Sequence, residues 1–452
     1  MNRIAIEVPD GARQVIETLQ GAGYEAYVVG GCVRDSILGR VPQDWDVTTS
    51  AKPMEVKALF KRTIDTGIQH GTVTVMIGNV GYEVTTYRID GEYEDSRHPK
   101  EVIFTPSLEE DLKRRDFTIN AMAYNEREGL VDLFGGMEDI DRKMIRCVGD
   151  PMARFGEDAL RIMRAVRFSA QLGYEIDEGT KEAIRKLAPN LRNISAERIH
   201  AELVKLVTSD HPEYLRIAYE TGITAVVFPE FDDMMQTPQK HPHHCYNVGD
   251  HTLVSMTKVP ADKVLRLTML FHDLGKPACL TVDEDGTTHF HGHPAVSEKL
   301  ARAIMTRLRF DNDTLNLVCK LVKHHDYANE NEADERTVRR AINRIGEDAF
   351  PLIFDVFRAD VLAQSDYMRE EKLGRIQDWQ ETYEAIRAAH QAVTLKDLAI
   401  NGKDLIAMGA KPGKALGECL QALLEEVLEE PQRNEREYLA RRADELLKSL
   451  DK

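Results

Sequence analysis

Apolar and polar residues alternate in two rhythms along the chain. In the first ~150 residues, short β-branched runs are interleaved with brief helical stretches. Positions 12–22 carry a helical spacing that stops at Gly23, and "EAYVVGG" spells a short strand ending on glycines. "RDSILG" predicts one or two helical turns closed by Gly39, "DWDVTTS" a strand and "KPMEVKALF" a helix. "HGTVTVMIGNVGYEVTTYRI" predicts a hairpin, two β-rich runs about a Gly/Asn turn. Residues 90–100 are polar without periodicity and read as a mobile loop, after which "VIFTP" returns to strand. From "RFGEDALRIMRAVRFSAQLG" onward nearly every segment has helical spacing. The Pro- and His-rich stretch 236–251 marks a boundary, a further helical block runs to about residue 390, and charged helices follow.

Composition narrows this picture. A chain of 452 residues exceeds one ordinary core, so two to four domains are expected. The six cysteines are scattered with no CxxC pair, which argues against a disulfide framework or a cysteine zinc site and fits a reducing, cytoplasmic setting. The start lacks an apolar signal segment, and no run of 18 apolar residues offers a membrane span. The net charge of −17 repels nucleic acid at long range. Phosphate contacts need only a local basic groove, however, and basic clusters occur at Lys113–Arg114–Arg115, at Arg161, Arg164 and Arg167, and at Arg339–Arg340.

The candidate chemistry begins at "YVVGGCVRDSILGRVPQDWDVTTS". In a strand, residues i and i+2 share a face, so Asp44 and Asp46 would point the same way, with alpha carbons roughly 6–7 Å apart. Paired hard oxygen ligands suit Mg²⁺, which completes its shell with water and substrate phosphates. A second metal bridging the pair would give the clamp used for in-line phosphoryl displacement. The Gly30–Gly31 backbone lets a triphosphate approach closely, and the Arg34 guanidinium can fork onto its oxygens. Two acids alone fit a solvated turn equally well. The glycine pair, the Arg-Asp step and the acid pair, in that order, favour the metal site.

With these residues in place, the stretch resembles the signature of DNA polymerase β-like nucleotidyltransferases, specifically the class II tRNA nucleotidyltransferases, a family of CCA-adding enzymes. "LKRRDFTINAMAYN" (112–125) resembles its ribose- and phosphate-reading motif, 132–173 its junction and nucleotide-selecting motif, "ISAERIHAELVKL" (194–206) its neck-helix motif, and "LAINGKDLIAMG" (398–409) the start of its tail. The resemblance implies an α/β nucleotidyltransferase head over 1–148, followed by all-α parts: a neck over 149–235, a body over 236–390 and a tail over 391–452. It implies template-independent addition of CCA to tRNA from CTP and ATP, with Mg²⁺ in the head. It also implies that Arg115 and Asp116 bind triphosphate and ribose, with Arg114 a solvated neighbour. Glu83 is a candidate third carboxylate.

The same carry-over makes Asp158 and Arg161 the base readers. As helical neighbours at i and i+3 they would present an acceptor-only carboxylate beside a donor-only guanidinium. Cytosine and adenine both offer an amine beside a ring acceptor, whereas uracil and guanine set a carbonyl against the carboxylate, which a buried site rejects. Arg164 and Arg167 fan round the same helix toward the base or phosphates. Asp90, Glu94, Asp95 and Arg97 of the polar loop point to competence for the terminal adenosine, with His98 a departure from the family. An A-adding enzyme or a poly(A) polymerase would share most of these features.

Ten of fifteen histidines fall between His241 and His325. "LRLTMLFHDLGKP" places His272 and Asp273 at the end of an apolar helix, with Gly275 as its cap and Pro277 as its stop. With His251 and Asp360 they resemble the ligand set of the HD phosphohydrolase superfamily. That resemblance implies Mn²⁺, Ni²⁺, Fe²⁺ or Mg²⁺ on those four residues, with His293 and His324 serving a second ion. Mixed imidazole and carboxylate donors suit such ions. His241, His243 and His244 read as loop residues. A head without activity, with the work done at the HD residues on RNA, is the rival class.

Overall fold

The structure is a computed structural model that describes residues 5–90 and 102–450. The polar segment carrying Glu94, Asp95, Arg97 and His98 lies outside the described residues. Contacts divide the chain into two compact units, 1–232 and 233–452. No helix among the described residues is long and apolar enough to cross a membrane, and the six cysteines are free thiols.

The first unit is built on a mixed sheet. Its strands are β1 (Ala26–Val29), β2 (Val47–Thr49), β3 (Thr63–Gly67), β4 (Thr72–Ile77), β5 (Val80–Thr86), β8 (Met122–Asn125) and β9 (Gly129–Asp132), while β6 (Arg88–Asp90) and β7 (Val102–Phe104) pair separately. The sheet order is β3-β4-β5-β2-β1-β8-β9, antiparallel throughout except where β2 runs parallel to β5. The predicted hairpin is β4–β5, with Ile77 opposite Val80 about a Gly78-Asn79 turn in which Gly78 has φ 61°. Its alternation buries Val73, Val75, Tyr82 and Val84 and turns Glu83 to the other face. Helices α1 (Asp10–Gly21), α2 (Gly31–Ile37), α3 (Pro53–Leu59), α4 (Leu108–Lys113) and α5 (Gly136–Asp141) are interleaved with the strands. Tyr27, Val29, Tyr87, Leu112 and Ala123 form a buried cluster joining β1, β8 and α4.

The helical run begins with α6 (Pro151–Glu157), α7 (Leu160–Leu172), α8 (Glu178–Leu187) and α9 (Ala196–Val207), then α10 (Leu215–Glu220), α11 (Thr224–Val227) and α12 (Pro229–Gln236). α7 packs on α9 through Met163, Val166, Leu203 and Leu206. The helical spacing read across 154–173 is broken. Asp158 leaves helical geometry at φ −138°, ψ 105°, so α6 and α7 are separate.

The second unit contains α13 (Val248–Met256), α14 (Lys263–Phe271), α15 (Lys276–Cys279), α16 (His293–Arg307), α17 (Asn312–Lys323), α18 (Tyr327–Glu330), α19 (Glu335–Ile345), α20 (Phe350–Leu362) and α21 (Arg369–Ala388). It closes with α22 (Gly402–Ala407), α23 (Lys414–Glu429) and α24 (Arg436–Leu450), whose shared core includes Leu405, Leu423, Leu424, Val427 and Leu439. Trp379 of α21 is fully buried, its indole edge-on to Tyr327.

Gly275 is not the cap the sequence predicts. Its φ is −81°, and Pro277 stands in the first turn of α15 rather than stopping a helix. Glycine is required there by close packing: a Cβ would sit 2.5 Å from His293 O and 2.7 Å from Ser297 N of α16. Gly275→Ala should therefore destabilise the second unit by about 1–3 kcal/mol. A Trp45→Phe chain leaves Trp379 as the one tryptophan of the two, and its fluorescence during urea unfolding reports that loss directly.

Candidate functional site

In the first unit the end of β1, α2, the segment before β2 and one face of α7 enclose a cleft of about 830 Å³. Gly30 turns the chain from β1 into α2 at φ 83°, ψ −127°, a conformation that favours glycine, and a Cβ there would meet Arg115 Nη1 at 3.0 Å. Asp44 and Asp46 do not lie in a strand as expected; β2 starts at Val47. Asp46 is nonetheless fixed, since Val29 N–H donates to its carbonyl at 3.0 Å. The parallel register Val47↔Val84, carried one residue back, sets Asp46 beside Glu83. Partial enclosure and the negative charges of Glu83 and Asp44 raise the Asp46 carboxyl above the ordinary range, against the pull of Arg115. Such under-compensated carboxylates suit a hard divalent cation.

The basic side of the cleft is tightly braced. Arg34 donates to Asp35 Oδ1 at 2.9 Å and to Asn120 Oδ1 at 2.6 Å, and its guanidinium lies 5.0 Å from the centre of the Phe168 ring. Asn120 donates to Asp116 Oδ1, and Arg164 of α7 donates to Asp116 Oδ2 at 2.7 Å. Burial alone would raise the Asp116 carboxyl, but Arg164 and Arg161 outweigh it and hold the group at about 2. Both Asp116 oxygens are thus engaged before any ribose arrives. Arg115 is 3.6 Å from buried Asp111, and its Nε has no hydrogen-bond partner. Arg114 is not a solvated neighbour, because it pairs with Asp111 at 2.8 Å. Arg167 is tied to Glu202 of α9 at 2.5 Å.

Asp158 and Arg161 are not the helical pair the sequence predicts. The helix break separates them, and each has another partner. Asp158 Oδ1 accepts from Leu160 N–H at 3.0 Å and Oδ2 from Arg198 at 2.7 Å. Arg161 pairs with Glu157 at 2.6 Å and donates to the Arg154 and Arg114 carbonyls. Asn120, Phe168, Glu202 and Arg198 were not singled out from sequence. All four lie inside the quoted motifs, but their partners come from distant segments.

The second unit holds the other constellation. Among the described residues, His251, His272 and Asp360 form one group able to ligate a metal, and Asp273, His293 and His325 form another. His251 Nε2 lies 3.2 Å from His272 Nε2 and 2.9 Å from Asp360 Oδ1. His293 Nε2 lies 3.1 Å from His325 Nε2 and 3.3 Å from Asp273 Oδ1. Each ring places Nδ1 against a backbone carbonyl: Ala363, Met269, Phe290 and Val322 respectively. With Nδ1–H donating there, the four Nε2 lone pairs converge, which is how metal-binding imidazoles are oriented. Both oxygens of buried Asp273 lack a hydrogen-bond partner, though Lys276 Nζ stands 2.7 Å from one. Burial lowers the His272 imidazole, yet Asp273 and Asp360 overrule it and raise it to about 10. The cluster calls for positive charge, and its donors fit a divalent ion.

His325, not His324, completes the second group. The buried stripe of α17 runs through Thr314, Val318, Leu321 and Val322, and His325 continues it. His324 falls off that stripe, and burial with Lys323 and Arg344 lowers it to about 4. His244 stacks edge-on to His251 at 5.9 Å but belongs to neither group.

Comparison with known sequences and structures places these sites in context. The family described as "Poly A polymerase head domain" matches residues 26–146. "Probable RNA and SrmB- binding site of polymerase A" matches 173–235, and "tRNA nucleotidyltransferase domain 2 putative" matches 284–443. The CCA-adding enzyme of Limosilactobacillus fermentum is 38% identical over 444 residues, 97% of each chain. That of Levilactobacillus brevis is 38% identical over 90% of this chain and 91% of its own. The crystal structure of the Bacillus stearothermophilus CCA-adding enzyme in complex with CTP superimposes with a TM-score of 0.72 at 30% identity, covering 98% of each chain. With sequence and fold both matched over nearly the whole length, the chain belongs to the CCA-adding enzyme family.

Proposed function

We propose that the cleft of the first unit adds CCA to the 3′ end of tRNA, taking CTP and ATP as substrates. The observation that carries this reading is the meeting of Asp44 and Asp46 with the Gly30–Gly31 turn and Arg115 on the lining of the cleft, with Glu83 beside Asp46. The tRNA 3′ hydroxyl attacks the α-phosphorus of the nucleotide and pyrophosphate leaves. Asp44 and Asp46, with Glu83 beside them, would hold a divalent ion, Mg²⁺ by the all-oxygen donor set, which would supply charge neutralisation for the phosphates and the attacking oxygen. Gly30 and Gly31 admit the triphosphate to their backbone, and Arg34 and Arg115 bind its oxygens. Asp158 and Arg161 read the base from opposite sides of the α6–α7 break, with Arg164 and Arg167 bracing the helix beneath. In this reading the head spans 1–148, the neck 149–235, the body 236–390 and the tail 391–452.

A second reading concerns the second unit. Converging imidazole nitrogens around the buried Asp273 carboxylate support a divalent-metal phosphohydrolase centre. His251, His272 and Asp360 would hold one ion and Asp273, His293 and His325 another, from among Mn²⁺, Ni²⁺, Fe²⁺ and Mg²⁺. Such an ion would supply Lewis-acid polarisation of a phosphoryl oxygen. Cyclic 2′,3′-phosphates and terminal phosphates are the candidate substrates.

Three outcomes test these readings. Incubation with tRNA lacking its last three nucleotides, with CTP, ATP or both, should yield CC from CTP alone and CCA from the pair. Asp44→Ala or Asp46→Ala should abolish both additions and leave tRNA affinity nearly unchanged, because affinity comes from distributed phosphate contacts. Homopolymeric ATP incorporation on generic RNA would mean a poly(A) polymerase.

Asp158→Ala should relax base choice and narrow the CTP:UTP ratio. It removes a charge-assisted hydrogen bond of about 1.5–3 kcal/mol, one to two decades in kcat/KM for CTP, together with the repulsion against UTP. An unchanged CTP:UTP ratio would place base selection elsewhere.

The double variant His272→Ala/Asp273→Ala should lose bound metal, measured by elemental analysis after Mn²⁺ loading, and any hydrolysis of 2′,3′-cyclic nucleotides, while nucleotidyl transfer persists. Equal metal content in wild type and variant would leave these residues a hydrogen-bonded scaffold.

A further inference from the structure

A residue that reads a base must present its oxygens in a fixed direction. The carboxyl plane of an aspartate turns easily about χ2, whose wells are broad. The hydrogen bond from Leu160 N–H to Asp158 Oδ1, 3.0 Å, fixes one oxygen but not the plane. Arg198 supplies the second anchor, its Nη2 donating to Oδ2 at 2.7 Å. The anchors come from two helices, α7 and α9, that pack on each other.

The position of Arg198 is unfavourable apart from this contact. It lies in the first turn of α9, just after Ser195, where the helix dipole disfavours a cation. Its Nη1 is buried without a hydrogen-bond partner, so the guanidinium makes no competing bond there. Arg161 cannot substitute as the second anchor, since Glu157 and two backbone carbonyls hold it. Each Asp158 oxygen keeps a further lone pair after accepting its one bond.

We propose that Arg198 is a specificity-determining positioning residue, which holds the Asp158 carboxylate so that its remaining lone pairs face the amine of cytosine or adenine. This rests on the reading of Asp158 as base reader given above. Arg198 acts through Asp158 and does not itself touch the base. Without it the carboxylate turns, the bond to the correct amine weakens, and the clash with a carbonyl is relieved.

The test measures kcat/KM for CTP and UTP on tRNA lacking its last three nucleotides. Arg198→Ala should lower the CTP value about tenfold, the size of one well-aligned charge-assisted bond, and leave UTP little changed. Arg198→Lys should restore part of the CTP:UTP ratio, because an ammonium reaches one oxygen without fixing the plane. In the Asp158→Ala background, Arg198→Ala should add no further change to the ratio. Arg198→Met keeps the aliphatic stem and replaces the alanine variant should that one not fold; it should narrow the ratio equally. Equal losses for both nucleotides in the Arg198 variants, with Asp158→Ala still narrowing the ratio, would overturn the role of Arg198 and leave that of Asp158. An unchanged ratio in Asp158→Ala would overturn both.

Discussion

A buried carboxylate, Asp116, joins the sheet-bearing part of the first unit to helix α7. Its Oδ2 is held by Arg164, and its Oδ1 accepts from Phe117 N–H and from the Asn120 amide. Asn120 in turn accepts from Arg34 at the start of α2. Removing Arg164 would leave the buried Asp116 carboxylate uncompensated, and removing Asp116 would release Arg164. Asp116 and Arg164 therefore constrain each other's elements. The pairing fixes the rotation of α7, which brings Phe168 under the guanidinium groups of Arg34 and Arg164. The cleft's basic face follows from an acid beneath it.

The same logic explains how a chain of net charge −17 can serve an anionic substrate. Arg34, Arg115, Arg164 and Arg167 each stand beside an acid: Asp35, Asp111, Asp116 and Glu202. An arginine has five donors, so a carboxylate neighbour orients it without exhausting it. In the second unit the balance is reversed. Asp273 and Asp360 are buried among imidazoles and one lysine, a setting that favours a cation. Local arrangement, not the sum over the chain, decides what each site attracts.

Much of this was legible in the sequence, and the exceptions have physical causes. The β4–β5 hairpin, the helical character beyond Pro151 and the Gly30 turn follow from period, propensity and backbone freedom, all local properties. The placement of Asp44 and Asp46 in a strand failed because β2 is only three residues long; its acids are aligned by neighbouring strands instead. Asp158 does not pair with Arg161 because helical spacing does not carry across the break. Neither a proline nor a left-handed glycine marks that break; Asp158 itself leaves helical geometry. His324 and His325 are adjacent and chemically alike, and only the buried stripe of α17 distinguishes them. Arg198 could not be paired with Asp158 by spacing, since 40 residues separate them.

Asp158 has two duties under the proposed function, and they bear on which sequences remain open to it. Its Oδ1 secures an N–H at the start of α7, a task that serine, threonine and asparagine perform nearly as well. Its remaining lone pairs face a nucleobase, a task that needs acceptors alone and so excludes the donor group of asparagine and the hydroxyl of serine. Drift at this position is therefore filtered twice, once by folding and once by fidelity. A substitution that passes the first filter yields a stable protein that errs. Such a variant would escape quality control that detects unfolded chains, and its fault would surface in the tRNA pool.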